Sequence, residues 1–204
     1  MTYGIIGFVL IIGLAFYLTS CKNKTKANDK TEGEVRDTTQ LKKVDPKNNP
    51  YNDLRNLALS MTPEQIGLKL PENQTKIYGI IMDWDLGEGI ATLVAFGNGD
   101  ASLYLSSGGG MIGGGGHDNI KKAAYILLTK AEVYMDKTTK TETNPLPKKN
   151  GLKFCFLTNK GKFEGQEEMK NIENNSSEWL DLFNEANNLI AEIQLTTNKS
   201  TNQN

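Results

Sequence analysis

Residues 76–105 read KIYGIIMDWDLGEGIATLVAFGNGDASLYL, and this stretch decides the fold. Lys76 to Leu86 is rich in Ile and aromatic residues, a strand composition. Gly87-Glu88-Gly89 is a turn and Ala91 to Phe96 a second strand. Asn98-Gly99 predicts a type I′ turn, after which Ala101 to Leu105 returns as a third strand. Strands joined by such short turns are antiparallel neighbours, so the centre of the chain is a three-strand meander.

Outward from the meander the period changes. Upstream, Tyr51 to Met61 places Leu54, Leu57, Ala58 and Met61 on one helix face, and Thr62-Pro63 starts a short second helical turn. Downstream, Ile120, Ala124, Leu127, Ala131 and Met135 step by three or four, while Lys121, Lys122 and Lys130 mark the wet side. Asp118 or Asn119 is the expected cap of that helix. Asn144-Pro145-Leu146-Pro147 breaks the chain. Leu152 to Leu157 is a strand that Asn159-Lys160-Gly161 turns toward Lys162 to Glu164. Ser176 or Ser177 caps a last helix with Leu182, Phe183, Ala186, Leu189, Ile190 and Ile193 inward. The order α-β-β-β-α-β-β-α predicts an α+β fold. It has an antiparallel sheet (the meander plus a hairpin), two main helices on one face and a short N-terminal helix.

The folded domain is read as 51–195, with a polar tail over 196–204 and a polar linker over 21–50, rich in Lys, Asn, Thr and Asp and without an aromatic residue. Before the linker, Thr2 to Ser20 carries no charge. As a helix, residues 3–20 would be about 27 Å long, close to the ~30 Å hydrocarbon core. Two membrane readings stand. Leu18-Thr19-Ser20-Cys21 resembles the bacterial lipobox, which would make Cys21 the lipidated residue and place the domain outside. An uncleaved anchor is the other reading. No Lys or Arg precedes the run, whereas Lys22, Lys24, Lys26 and Lys30 follow it, and the positive-inside rule then places the domain in the cytoplasm.

The whole chain has 204 residues, a formal net charge of -1, one His and two Cys. A balance near zero excludes a wholesale electrostatic grip on nucleic acid. One His and two separated Cys exclude a zinc ribbon and a disulfide scaffold. Asp83, Asp85 and Glu88 do not fit a calcium loop, since the sixth and twelfth positions from Asp83 are Glu88 and Val94; Asp83 and Asp85 are read as a wet acidic edge. Cys155, between Phe154 and Phe156, reads as a buried inert thiol. Trp84 and Trp179 read as core or interface. No residue set calls for a cofactor or a metal.

One feature invites chemistry. Gly108-Gly109-Gly110-Met111-Ile112-Gly113 matches G-x-G-x-x-G, after a strand and before a helix, and the run continues through Gly116 to His117, the one histidine. Such glycines let a backbone approach a phosphate at a helix N-terminus. The context departs from a dinucleotide site, which needs a parallel β-α-β unit, and no Gly-Lys-Ser/Thr follows as in a Walker loop. Seven glycines in nine residues fit many patterns, so a tight strand-to-helix connection is the competing reading. The ligand-binding candidates are Gly108, Gly110, Gly113, Gly116 and His117. Ser106, Ser107, His117 and Asp118 are too close in sequence to suggest a triad, and no G-x-S-x-G elbow is present.

Pro63-Glu64-Gln65-Ile66-Gly67-Leu68, the strand from Ile77, Gly89 to Val94, Gly99 to Tyr104, the Gly108–His117 run and the helix around Leu182-Phe183-Asn184-Glu185-Ala186 resemble an uncharacterised bacterial family with a GGGxxGGGGH loop. The resemblance covers about residues 54–195 and carries no activity. It implies a cytoplasmic domain, since members of that family are often simple proteins without an export signal; the N-terminal run here is a departure. Together these readings predict a membrane-tethered, non-enzymatic module that binds an unidentified protein or small ligand through its glycine-loop face. The alternative is a small-molecule or nucleotide binder, or an enzyme, using residues 108–116 and His117.

Overall fold

The structure, a computed structural model, describes residues 42–43 and 50–201. The apolar run over 1–20, Cys21 and most of the linker lie outside the described residues. The elements are β1 (Lys42–Lys43), α1 (Tyr51–Ser60), β2 (Ile77–Asp85), β3 (Ile90–Phe96), β4 (Ala101–Leu105), β5 (Gly110–Ile112), α2 (Asp118–Glu132), β6 (Thr139–Thr141), β7 (Gly151–Thr158), β8 (Gly161–Glu168), α3 (Met169–Glu173) and α4 (Leu180–Thr201). Single 3₁₀ turns lie at Glu64–Ile66, Gly114–Gly116 and Met135–Lys137.

All strands form one antiparallel sheet in the order β1-β5-β4-β3-β2-β7-β8-β6. The fold is α+β, as the periodicities predict. The central strand β2 pairs with β3 on one side and β7 on the other, and both its faces are covered. On one face Ile80, Met82, Leu93, Leu103, Phe154 and Phe156 pack under α2 and α4. On the other, Tyr78, Ile81, Val94, Phe96 and Leu157 pack under α1 and its following turn. A register shift between Ile77 and Gly79 lets Tyr78 face the α1 side and Ile80 the other. Both outer strands, Lys42–Lys43 and Thr139–Thr141, are short and polar, which discourages further pairing.

Trp179 occupies the core, stacked between Tyr134 at 5.2 Å and Phe154 at 5.5 Å between ring centroids. Gly165 makes the space for it: a Cβ there would overlap the indole ring.

Four local expectations differ. Asn98 does not have positive φ, so the Phe96–Asp100 loop is not type I′. Only Gly99 does, at 88°, and Gly99 N–H bonds Phe96 O while Phe96 N–H bonds Asp100 O. That is a three-residue loop ending on a left-handed glycine. Neither Asp118 nor Asn119 caps α2. His117 holds the cap position without a side-chain bond, and the Asn119 amide instead reaches Glu192 and Thr196 of α4. The region read as a polar tail continues α4 to Thr201: Thr196 is buried, bonding the Glu192 carbonyl, and Thr197 bonds the Ile193 carbonyl and touches Met111. Within the segment read as linker, Lys42–Lys43 pairs with Met111 and Ile112.

Candidate functional site

The glycine run is built as three pieces. Gly108 and Gly109 turn the chain at φ 97° and 90°, with Gly108 N–H on Leu105 O at 3.0 Å and Leu105 N–H on Gly109 O at 3.1 Å. Gly110 then enters β5 at φ 140°, where a Cβ would overlap the Leu103 carbonyl oxygen across the ladder. Gly113 is left-handed at φ 84° and leads into the Gly114–Gly116 turn. A Cβ on Gly114 would lie 2.8 Å from Ile120 Cγ2 and 2.9 Å from Ala101 O. The glycines therefore answer a need for close approach and positive φ. Several N–H groups that a phosphate would use are engaged: Gly115 on Asp100 Oδ1 at 3.0 Å and His117 on Gly114 O at 3.0 Å, besides Gly108. Gly116 is exposed at the mouth of α2, and His117 Nε2 is shielded from solvent with no hydrogen-bond partner among the described residues.

A second cluster, not anticipated from the sequence, lies under α1. Tyr51, Arg55 and Ala58 are the buried residues of that helix, so a cation sits on its core stripe. Arg55 Nε donates to both oxygens of Asp83 at 3.1 Å, and Nη2 donates to Asp83 Oδ2 at 2.6 Å and to the Asn144 carbonyl at 2.9 Å. The Thr92 hydroxyl donates to Asp83 Oδ1 at 2.5 Å, so the 2.8 Å contact between Tyr51 and Thr92 is a donation by the Tyr51 hydroxyl. Asp83 is 1% exposed and Arg55 7%. Asp83 is thus not on a wet acidic edge: it lies in the central strand, covered by α1. Burial pulls the Arg55 guanidinium down, but the Asp83 hydrogen bonds and charge outweigh it and hold the group above its ordinary value. Burial raises the Tyr51 hydroxyl. Burial also pushes the neighbouring Cys155 thiol up to about 12. The signal was readable: an Arg in register with Tyr51 and Ala58, and an Asp inside an Ile-rich strand.

The third feature is the outer face of α2. Its inward stripe is Ile120, Ala124, Leu127, Leu128 and Ala131. With about 100° per residue, Tyr125, Ile126, Thr129 and Val133 fall on the opposite side, continuing past the helix end. Tyr125 is 42%, Ile126 43% and Val133 69% exposed. With Thr129 they line a shallow depression that also holds Asp118, Lys121, Lys122 and Lys130. The lysines make the wet side expected of them, but the apolar residues between them were not anticipated. The Gly114–Gly116 turn opens directly into this helix.

Among the described residues no helix is long and apolar enough to cross a membrane, and no group of three or more His, Cys, Asp or Glu is placed to hold a metal. No protein-family profile matches the chain, and neither a curated protein nor a solved structure shows significant similarity to it.

Proposed function

We propose that this chain is a membrane-tethered, non-enzymatic interaction module whose contact surface is the outer face of α2. The observation that carries it is the exposed stripe of Tyr125, Ile126 and Val133, lying opposite the stripe that α2 gives to the core. Among the described residues this stripe is left exposed beside the one that α2 gives to the core, and exposed apolar patches rimmed by charge mark contact surfaces. The buried charged groups support a structural use of the polar interior: Asp83 is held by Arg55, and Lys153 pairs with Glu164 at 3.2 Å. The tether is the uncharged run Thr2 to Ser20, followed by Cys21 and Lys22, Lys24, Lys26 and Lys30. Fractionation of bacteria expressing the full chain tests this. The chain should stay with the membrane pellet through a high-salt wash, and a salt-extractable or supernatant chain would sink the tether. Cys21→Ser, run alongside, separates lipidation from a spanning helix.

One observation favours a second reading, a small-ligand site at Gly108–His117: the shielded, unpartnered His117 Nε2. Calorimetry with nucleotides on wild type and His117→Ala decides it. Heat that vanishes in the variant, with the fold unchanged, would support that site.

A further inference from the structure

We infer that the surface met by the outer face of α2 is the anionic lipid headgroup layer of the membrane that holds the tether; this rests on the tether proposed above. Four observations point there. First, the face mixes apolar and basic groups in the way of an interfacial helix: Tyr125, Ile126 and Val133 are flanked by Lys121 and Lys130, with Lys122, Thr129 and the acidic Asp118 among them. Second, α2 itself carries Lys121, Lys122 and Lys130 against Asp118 and Glu132, and Glu132 is matched by Lys76 at 3.1 Å. Lys130 also meets Asp181 at 3.4 Å, an exposed pair that water and lipid phosphate can replace. Third, the apolar part of the face is three side chains on a helix about 22 Å long, a small contact for a protein partner. A stable protein pair needs about 800 Å² from each partner, so a second copy or a free protein would be held poorly by this face alone. A domain already confined to a membrane needs only a weak contact, because tethering supplies the local concentration. Fourth, the tether enters the fold close by. Lys42 and Lys43 pair with Ile112 and Met111 of β5, and α2 begins at Asp118, a few residues further on. Residues 22–41 span at most about 70 Å, so the membrane remains within reach of that edge.

The test uses the full chain reconstituted in vesicles of phosphatidylcholine alone or mixed with phosphatidylglycerol. A fluorophore is placed through Ile126→Cys, with Glu173→Cys in the short α3 as the control position. Buried Cys155 stays unlabelled in the folded chain, and the chain without an added cysteine reports any label at Cys21. Nitroxide lipids should quench the label at position 126 in the mixed vesicles and leave position 173 unquenched. Lys121→Gln with Lys122→Gln should lower the docked-to-free ratio about 25-fold, at about fivefold per lysine, with circular dichroism unchanged. If the chain floats with vesicles while position 126 stays open to aqueous iodide, the tether stands and this inference falls. Protection of position 126 from both quenchers would place a protein there and overturn it. Equal quenching in pure phosphatidylcholine would refute the part played by anionic lipid. A chain that does not float refutes the tether and the inference together.

Discussion

Removing the guanidinium of Arg55 should be among the most destabilising single changes available in this domain. Arg55→Met keeps most of the side-chain volume and takes away the donors that reach Asp83 at 3.1, 3.1 and 2.6 Å. Asp83, 1% exposed, would keep the Thr92 hydroxyl but lose its countercharge. Breaking one side of a buried pair typically costs about 3–5 kcal/mol, because the remaining charge is stranded. With a urea slope of about 2 kcal/mol/M, the unfolding midpoint should fall by about 1.5–2.5 M. Trp179, packed in the core, gives the fluorescence signal. Asp83→Val should cost a similar amount. The double variant should cost clearly less than the two singles added together, with a coupling of about 2 kcal/mol or more, since an apolar pair of similar volume strands no charge. Strict additivity, or a loss below about 1 kcal/mol for Arg55→Met, would refute the reasoning that these groups hold each other in the interior.

Gly110→Ala should cost about 1–3 kcal/mol and lower Tm by several degrees, because the new methyl meets the Leu103 carbonyl and φ 140° strains an L-residue; thermal unfolding reads it. Cys155, buried and pushed up to about 12, should react with a thiol reagent at mildly alkaline pH only as fast as the domain opens, and rapidly in denaturant. Glu167 has the opposite sign. Its partial burial pushes the carboxyl up, but the Ser177 hydroxyl, the Asn171 amide and the Glu168 N–H together hold it below its ordinary value. A folded value below the unfolded one gives stability that is complete above the unfolded value of about 4.3 and lost as pH falls through the folded value. Glu167→Gln should therefore remove part of the acid sensitivity seen in urea midpoints between neutral pH and about pH 3.

The meander was legible because glycine turns join its strands and each strand carries apolar residues on both faces, a pattern local sequence can show. The sequence pattern predicts the main helices on one face, whereas α1 covers the other as well, and that cover is what turns Asp83 from a rim residue into a core one. What separates a rim Asp from a core Asp is whether a cation from elsewhere meets it, and Arg55 lies 28 positions upstream. The same holds for the end of α4: Thr196 and Thr197 look like a fraying polar tail, but their hydroxyls cap the carbonyls of their own helix and their flanks meet Asn119 and Met111. The glycine run was read with its alternatives open because glycine permits both a cradle and a tight fit; only the carbonyls facing Gly110 and Gly114 show how close the backbone comes. On α2 the lysines drew attention away from Tyr125, Ile126 and Val133, though their spacing opposite the core stripe was there to be seen.

A working surface on the outer face of α2 must be in contact inside the cell. Site-specific photo-crosslinking in intact cells tests it most directly, with benzoylphenylalanine placed at Ile126 and at Val133, and at the similarly exposed Leu57 and Leu86 as comparison sites. Lipid adducts should concentrate at positions 126 and 133. Adducts absent there, or no more frequent than at positions 57 and 86, would contradict it.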